Sequence, residues 1–236
     1  MEKKYCTAVV LAAGSGRRMG TKVHKQYLLL DGKPVLYYSL KTFQESELIE
    51  RIILVSGRGE EDWCRKNIVE KYALTKVTDV VAGGKERYDS VWNGLQRAGR
   101  EGYVYIHDGA RPFVDKEMIR RAYECVIREK ACVAGMPVKD TIKVVDEEEF
   151  VTDTPDRSSL WMVQTPQVFE SELITDASSM LKSSPSETVT DDAMVVERMM
   201  GLPVKMFRGS YENIKITTPE DMDIAEVFLK KKKSAF

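Results

Sequence analysis

A glycine-rich segment with four nearby cations follows the first apolar run of the chain. Residues 12–20 have the sequence AAGSGRRMG, and Lys22 and Lys25 follow shortly after them. Glycines expose backbone N–H groups and allow positive φ, so such a turn can wrap an anion. Four cations within nine positions exceed what a structural turn requires. The segment therefore predicts a site for a phosphate-rich ligand, with a purely structural glycine turn as the alternative.

Two familiar phosphate-binding loops do not fit this segment. A P-loop has a second glycine five positions after the first, followed by lysine, whereas Met19 stands there and Gly20 precedes Thr21. A dinucleotide-binding loop needs a small residue in place of Met19 and an acidic residue about twenty positions further on. Asp31, the nearest candidate, belongs to an Asp-Gly turn. These departures argue against an NAD-dependent oxidoreductase.

The composition is that of a folded protein with a sizeable core. The chain has 236 residues, of which 43% are hydrophobic and 31% are charged. It contains no run of about 18 uncharged apolar residues, and this excludes a membrane-spanning helix. Lys and Arg number 36 against 37 Asp and Glu, and the resulting net charge of −1 argues against broad binding of nucleic acid.

The four cysteines, at positions 6, 64, 125 and 132, lack the paired spacing of a zinc site. A chain of this size does not need a disulfide scaffold, so we expect buried free thiols in a reducing cytoplasm. Residues 3–13 look like a signal peptide, because two lysines precede a short apolar run. A buried first strand that enters a glycine turn explains the same run better.

Short apolar runs alternate with segments of helical periodicity over the first half of the chain. The alternation predicts a single α/β domain over residues 1–236, with a mostly parallel twisted sheet covered by helices. Ligands bind beyond the carboxyl ends of the strands in such sheets, and the glycine segment must lie there. Strands are predicted over 7–11, 51–55, 78–82, 103–107 and 131–136. Helices are predicted over 34–44, 60–72 and 90–98 and from Asp115 onward, and Pro34 is expected in the first position of the first helix.

The second half is less regular and contains a polar stretch, 138–159, that is too long for an ordinary connection. We expect this stretch to form a protruding β-arm. Further strands are predicted over 141–145 and 164–169, and helices over 171–181, 191–200 and from Pro219 onward, with Thr218 as N-cap. The side chains predicted to face inward from the last helix are Ile224, Ala225, Phe228 and Leu229.

Several motifs beyond the glycine segment carry a resemblance to a known family. They are KQYL at 25–28, GG at 83–84, Arg87, DSV at 89–91, HDGARP at 107–112, DT at 140–141, DR at 156–157, QTPQ at 164–167, TDDA at 190–193 and NIK at 213–215. Together they resemble the 2-C-methyl-D-erythritol 4-phosphate cytidylyltransferases of the non-mevalonate isoprenoid pathway. The later motifs are the more specific ones, because many sugar-nucleotide enzymes share only the first loop. The resemblance implies a Rossmann-like domain that transfers CMP from CTP to a polyol phosphate and releases pyrophosphate.

The resemblance also implies roles for individual residues. Arg18 and Lys25 match the residues that stabilise charge on the α-phosphate of CTP, and Asp108 matches a carboxylate that can hold Mg²⁺ or another divalent cation. The positions that match the CTP site are Ala12, Ala13, Gly14, Ser15, Gly16, Gly83, Gly84, Ser90, Asp108 and Lys215. Those that match the polyol-phosphate pocket are Asp108, Arg111, Thr141, Arg157, Thr165 and Thr190, with Arg157 reaching across a homodimer interface from the arm.

Ordinary structural roles stay open for several of these residues. Asp108 could cap a helix or pair with Arg111, and Lys215 could be an unremarkable surface lysine. Thr165 and Thr190 could equally be a turn hydroxyl and an N-cap. The chain also departs from its relatives at two positions. His24 stands where a proline is common, and Lys85 stands where some relatives have an acidic residue.

Two alternatives use the same nucleotide. A ribitol 5-phosphate cytidylyltransferase shares the glycine loop, the His-Asp motif and QTPQ, but LW at 160–161 and TDDA at 190–193 favour the methylerythritol family. A catalytically silent module would bind a cytidine nucleotide and release no pyrophosphate.

Overall fold

The computed structural model describes residues 5–14, 24–183 and 188–234, and a seven-stranded sheet forms its centre. In chain order the strands are β1 (Cys6–Ala12), β2 (Leu29–Leu30), β3 (Lys33–Pro34), β4 (Arg51–Ser56), β5 (Val77–Ala82), β6 (Tyr103–Asp108), β7 (Ala131–Pro137), β8 (Val144–Val145), β9 (Val151–Asp153), β10 (Trp161–Glu170) and β11 (Lys205–Arg208). The spatial order in the seven-stranded sheet is β11–β7–β10–β6–β1–β4–β5. Six of these seven strands run parallel, and β10 runs antiparallel between β6 and β7. The other four strands form two separate pairs, β2 with β3 and β8 with β9.

The middle of the sheet is apolar on both faces, as the continuous apolar runs predict. Successive residues of a strand point to opposite faces, so Val9 and Val10 belong to separate hydrophobic clusters. Helices cover both clusters, and the predicted α/β domain with a mostly parallel sheet is confirmed. The helices are α1 (Val35–Glu45), α2 (Glu61–Cys64), α3 (Arg87–Ala98), α4 (Lys116–Glu129), α5 (Ser171–Ser183), α6 (Asp192–Met200) and α7 (Pro219–Ser234).

Three details of the predicted elements are wrong. Pro34 does not begin the first helix, because the Asp31–Gly32 turn pairs it with Leu29 in an extended conformation. The helix predicted over 60–72 divides into α2 and a π-helical turn at Arg65–Glu70. Ile224 does not face inward: α7 packs through other side chains and leaves Ile224 44% exposed.

The predicted arm is present as the β8–β9 hairpin, whose first strand, β8, is shorter than the strand predicted over 141–145. Its side chains are exposed, and the apolar ones stand out: Phe150 is 67% and Val151 58% exposed. A turn over 146–150, in which Asp146 Oδ1 accepts from the N–H groups of Glu148 and Phe150, connects the two strands. The arm therefore presents apolar surface that nothing in the described chain covers.

All four cysteines are buried and free, as predicted. Within residues 5–14, 24–183 and 188–234, no group of three or more His, Cys, Asp or Glu side chains is arranged to hold a metal ion. No helix in the same ranges has the length and apolar character needed to cross a membrane.

Candidate active site

A cleft of about 620 Å³ opens at the carboxyl ends of β1 and β6. This is the edge of a parallel sheet at which ligands bind. Eight of the predicted site residues line it, namely Ala12, Ala13, Gly14, Lys25, Gly84, Ser90, Asp108 and Lys215. The cleft therefore brings together the end of the first strand, the second glycine pair and two lysines that lie 190 positions apart in the chain.

A second cavity of about 270 Å³ adjoins the cleft and shares Arg87, Asp108 and Lys215 with it. Its other lining residues include the predicted Arg111, Thr165 and Thr190. These residues come from the loop after β6, from β10 and from the segment before α6, and the antiparallel β10 brings Thr165 to this end of the sheet. Two ligands bound in the two cavities would meet at the shared residues.

The charges at the junction of the two cavities centre on Asp108. Lys215 Nζ lies 2.7 Å from Asp108 Oδ2, and Arg87 Nε lies 3.4 Å from Oδ1. Burial by itself would raise the pKa of Asp108, but the positive charges of Arg87 and Lys215 outweigh it and hold that pKa well below its usual range. Asp108 is therefore an ionised carboxylate between two cations.

A buried hydrogen-bond chain fixes the backbone around Asp108. Burial lowers the pKa of His107 to about 4, so the imidazole is neutral. Its Nε2 lies 3.1 Å from the Arg111 carbonyl oxygen, which can only accept, so Nε2 carries the proton. His107 Nδ1 consequently accepts from the Thr165 hydroxyl at 3.1 Å, and the same hydroxyl accepts from the Asp108 N–H at 3.0 Å. Thr165 thus has a structural role here in addition to any contact with a ligand.

Arg111 lines the second cavity, and not all of its hydrogen-bond donors are used by the described residues. One of its terminal nitrogens, Nη1, donates to the Asn213 carbonyl at 2.7 Å. Its Nε is buried without a hydrogen-bond partner among the described residues. Burial lowers the pKa of Arg111, which means that the guanidinium has lost hydration. A bound anion would supply the missing acceptor.

Lys25 belongs to a 3₁₀ turn, Lys25–Tyr27, whose middle residue anchors it to the first strand. The buried Gln26 side chain donates to the carbonyl oxygens of Ala12 and Gly14, the latter at 3.2 Å. This link holds the Lys25 turn against the start of the glycine segment. Ser15, Gly16 and Arg18, together with Arg17, lie outside the described residues, so the predicted role of Arg18 stays a prediction.

The second glycine pair is engaged with the protein itself. The Gly83 N–H donates to the Ser56 carbonyl at 2.7 Å, and the Gly84 N–H donates to Ser90 Oγ at 3.1 Å. A Cβ on Gly83 would collide with the side chain of Ala13, so a close approach requires glycine there. Gly84 and Ser90 line the cleft while Gly83 packs behind it, and the predicted contact of Gly83 with the base stays a prediction.

Two predicted residues, Thr141 and Arg157, do not join the others. Both are exposed at the arm, and neither lines the cleft or the second cavity. Arg157 donates to the Lys139 carbonyl at 2.9 Å. The contact of Thr141 and Arg157 with the polyol phosphate, and the homodimer through which Arg157 would make it, stay predictions.

Arg87 and Asp192 belong to the motifs that carry the family resemblance, but neither was predicted to have a role. In the structure the Arg87 guanidinium donates to both carboxylate oxygens of Asp192, at 2.9 and 2.8 Å. Gln167 Oε1 accepts from the N–H groups of Asp192 and Ala193, both at 3.0 Å, and so fixes the start of α6. Arg87 and Asp192 are 105 positions apart in the chain. The sequence signal that could have pointed to these two residues is that each belongs to one of the family motifs.

Comparison with known proteins identifies the family. The model of the family "2-C-methyl-D-erythritol 4-phosphate cytidylyltransferase" matches residues 6–231. The enzyme of that name from Lachnospira eligens is 52% identical over 225 residues, which cover 95% of this chain and 99% of the relative. The one from Caldanaerobacter subterraneus is 50% identical over 228 residues, covering 95% and 99%.

Solved structures agree with this assignment. The crystal structure of 4-diphosphocytidyl-2C-methyl-D-erythritol synthase from Anaerococcus prevotii superimposes with a TM-score of 0.85 at 33% identity, covering 97% of both chains. The structure of 2-C-methyl-D-erythritol 4-phosphate cytidylyltransferase from Thermus thermophilus has a TM-score of 0.77 at 28% identity, covering 94% and 98%. The chain belongs to the 2-C-methyl-D-erythritol 4-phosphate cytidylyltransferase family of nucleotidyltransferases.

Proposed function

We propose that the chain transfers the cytidylyl group of CTP to 2-C-methyl-D-erythritol 4-phosphate. The products are 4-diphosphocytidyl-2-C-methyl-D-erythritol and pyrophosphate. The observation that carries this proposal is the junction of two cavities at Asp108, where Arg87 and Lys215 supply positive charge. Family membership gives the reaction its substrates.

The two cavities suit two phosphorylated substrates of different size. CTP would occupy the cleft of about 620 Å³, and the polyol phosphate the cavity of about 270 Å³. An oxygen of the polyol phosphate attacks the α-phosphorus of CTP in line, a new P–O bond forms, and the bond to the leaving pyrophosphate breaks. Both substrates are anions, so holding them together at one junction is the main task of the site.

Cationic side chains in both cavities would perform that task. Lys25 and Lys215 line it, and their ammonium groups can follow charge as it develops on the α-phosphate oxygens. Arg111, with its unpartnered Nε, faces the second cavity and suits the phosphate of the polyol. No side chain has to form a covalent intermediate, so the chemistry needs no serine or cysteine nucleophile.

The residues of the cleft fit Mg²⁺ in the manner usual for enzymes of nucleoside triphosphates. Magnesium is commonly held by one or two carboxylates together with phosphate oxygens and water. Asp108 would be the carboxylate, and CTP would complete the coordination. When bound, the ion neutralises charge on the phosphates.

The arm supports a homodimer as the working form. Val145, Phe150 and Val151 expose apolar side chains on one short hairpin, and such a cluster is typical of an interface. A partner subunit placed against the arm would bring Thr141 and Arg157 to the polyol phosphate of the neighbouring site.

The four buried free cysteines support a reducing, cytoplasmic location.

A pyrophosphate-release assay tests the proposal, with CTP and Mg²⁺ combined in turn with 2-C-methyl-D-erythritol 4-phosphate and ribitol 5-phosphate. We expect rapid release with the first and slow release with the second. Faster turnover of ribitol 5-phosphate would overturn the assigned acceptor. No release at saturating concentrations would leave a silent nucleotide-binding module, and binding of NADH in preference to CTP would revive the oxidoreductase hypothesis.

A further inference from the structure

A glutamate outside the two cavities contacts the chain on both sides of Lys25, at His24 and at Tyr27. Glu60 immediately precedes α2, yet its carboxylate lies against the 3₁₀ turn that carries Lys25. Tyr27 donates its hydroxyl hydrogen to Glu60 Oε2 at 3.0 Å. On the other side of Lys25, His24 Nδ1 lies 3.1 Å from Glu60 Oε1, out of line for a hydrogen bond. One carboxylate therefore contacts the residue immediately before the lysine and the residue two positions after it.

The contact between Tyr27 and Glu60 has one well-defined arrangement of protons. Burial raises the pKa of Tyr27, so the phenol keeps its hydrogen. Burial also raises the pKa of the Cys64 thiol, to about 11, so this group keeps its hydrogen as well. The thiol lies 3.0 Å from the Tyr27 oxygen. Because the phenol donates to the carboxylate, the thiol donates to the phenol, and the three groups form an ordered chain.

The backbone holds Glu60 in place for this contact. The Glu60 N–H donates to the Gly57 carbonyl at 3.0 Å, and the Cys64 N–H donates to the Glu60 carbonyl at 2.8 Å. A Cβ at Gly57 would occupy the space of the Glu60 carboxylate. Trp63 adds an aromatic contact, because its ring centroid lies 4.8 Å from the ring centroid of Tyr27. The chain thus provides both the fixed backbone and the room that this carboxylate position needs.

The opposite side of the turn is fixed as well. Gln26, the residue between Lys25 and Tyr27, donates to the carbonyls of Ala12 and Gly14. The turn therefore has an inner attachment to β1 through Gln26 and an outer attachment to α2 through Tyr27. A flexible lysine side chain delivers charge to one place only when its own backbone is held.

We propose that Glu60 is a positioning residue that fixes the Lys25 turn at the nucleotide cleft through Tyr27. This inference rests on the proposed function for the catalytic role of Lys25, while the attachment itself rests on the contacts above. Glu60 lines neither cavity, so it acts on the reaction through the turn and not by touching substrate.

Kinetics of single and double variants test this role. Glu60→Ala and Tyr27→Phe should each lower kcat about tenfold, with the KM for the polyol phosphate within about twofold of the parent. Because both changes remove the same link, the double variant should lose no more than either single one. Glu60→Gln keeps an acceptor for Tyr27 and should recover most of the turnover, and Asp62→Ala, an exposed carboxylate two residues away, should leave kcat unchanged. Additive losses, or a Glu60→Ala enzyme with parental kcat, would overturn the inference.

A measurement without turnover separates this inference from the proposed function. Brief treatment with a dilute amine-reactive ester, followed by peptide mapping, gives the modification rate of each lysine. We expect Glu60→Ala to change the rate at Lys25 severalfold and to leave the rate at Lys205, on the far edge strand, unchanged. An unchanged rate at Lys25 would show that Glu60 does not fix the turn. A parent protein without pyrophosphate release would instead refute the proposed function, whatever happens to this rate.

Discussion

Asp108, Arg111 and Thr165 lie at the edge of the sheet in a buried hydrogen-bond network, whereas Thr141 and Arg157 lie on an exposed arm. All five were predicted to contact the same polyol phosphate. The first three are held in place by contacts within one chain. The two on the arm have no comparable support, and their proposed function depends on what packs against the hairpin.

This difference separates two ways of building a binding site. At the sheet edge, groups such as the His107 imidazole and the Thr165 hydroxyl set the position of Asp108 before a ligand arrives. On the arm, position would come from assembly, because a symmetric dimer places the same hairpin beside each neighbouring site. Variants at the sheet edge should therefore affect chemistry and stability, and variants on the arm should affect substrate affinity and respond to the partner.

The largest effect is expected at the cleft, from Lys25→Ala. Removing one preorganised cation from a phosphoryl-transfer site should lower kcat by about a hundredfold or more. Steady-state pyrophosphate release measures the effect, and Lys66→Ala, at an exposed position on the neighbouring π-helical turn, is the matched control. A folded Lys25→Ala enzyme with near-normal turnover would remove this lysine from the mechanism.

The next effect concerns stability, because His107 is buried and neutral. Its pKa is about 4 in the folded protein against an ordinary value of 6.5, so the unfolded chain binds more protons between these values. The part of the free energy of unfolding that depends on His107 being neutral is fully present above pH 6.5. It is lost as the pH falls from there through about 4. Between pH 7 and 5, the free energy of unfolding should fall by about 2 kcal/mol more in the parent than in His107→Asn. Urea unfolding at both pH values checks this, and equal losses would show that His107 does not titrate as a buried base.

The sheet edge was also the more predictable of the two regions. Buried parallel strands are continuous apolar runs, so the positions of β1 and β6, and hence the places of Gly14 and Asp108, followed from local sequence. Pairings across long separations did not follow. Nothing near Arg87 specifies Asp192 as its partner, and nothing near Tyr27 specifies Glu60, because three-dimensional packing brings these residues together. The arm was predicted from its length and polarity, while its hairpin register depends on turn contacts that composition does not reveal.

A smaller effect is expected on the arm, from Arg157→Ala. Loss of a contact made equally in the ground state and the transition state should raise the KM for the polyol phosphate about tenfold and leave kcat nearly unchanged. Lys143→Ala, another exposed cation of the hairpin region, is the control. Titration of initial rates with each substrate in turn measures both constants. If the KM for CTP rose instead, the assignment of the arm to the second cavity would be wrong.

The sharpest comparison of the two regions comes from mixing subunits. Consider a dimer of one Lys25→Ala chain and one Arg157→Ala chain. If Arg157 acts in the neighbouring site, the Arg157→Ala chain supplies an intact cleft and the Lys25→Ala chain supplies an intact arm to it, so that one of the two sites is complete. Random pairing should then restore roughly a quarter of the parental sites at low polyol phosphate. Lys25→Ala mixed with Arg111→Ala should restore none, because both changes lie in the cavities of their own chains. Mixed dimers that form and show no recovery would place Arg157 outside the neighbouring site, and sedimentation of the parent as a monomer would leave the arm without the partner that the comparison requires.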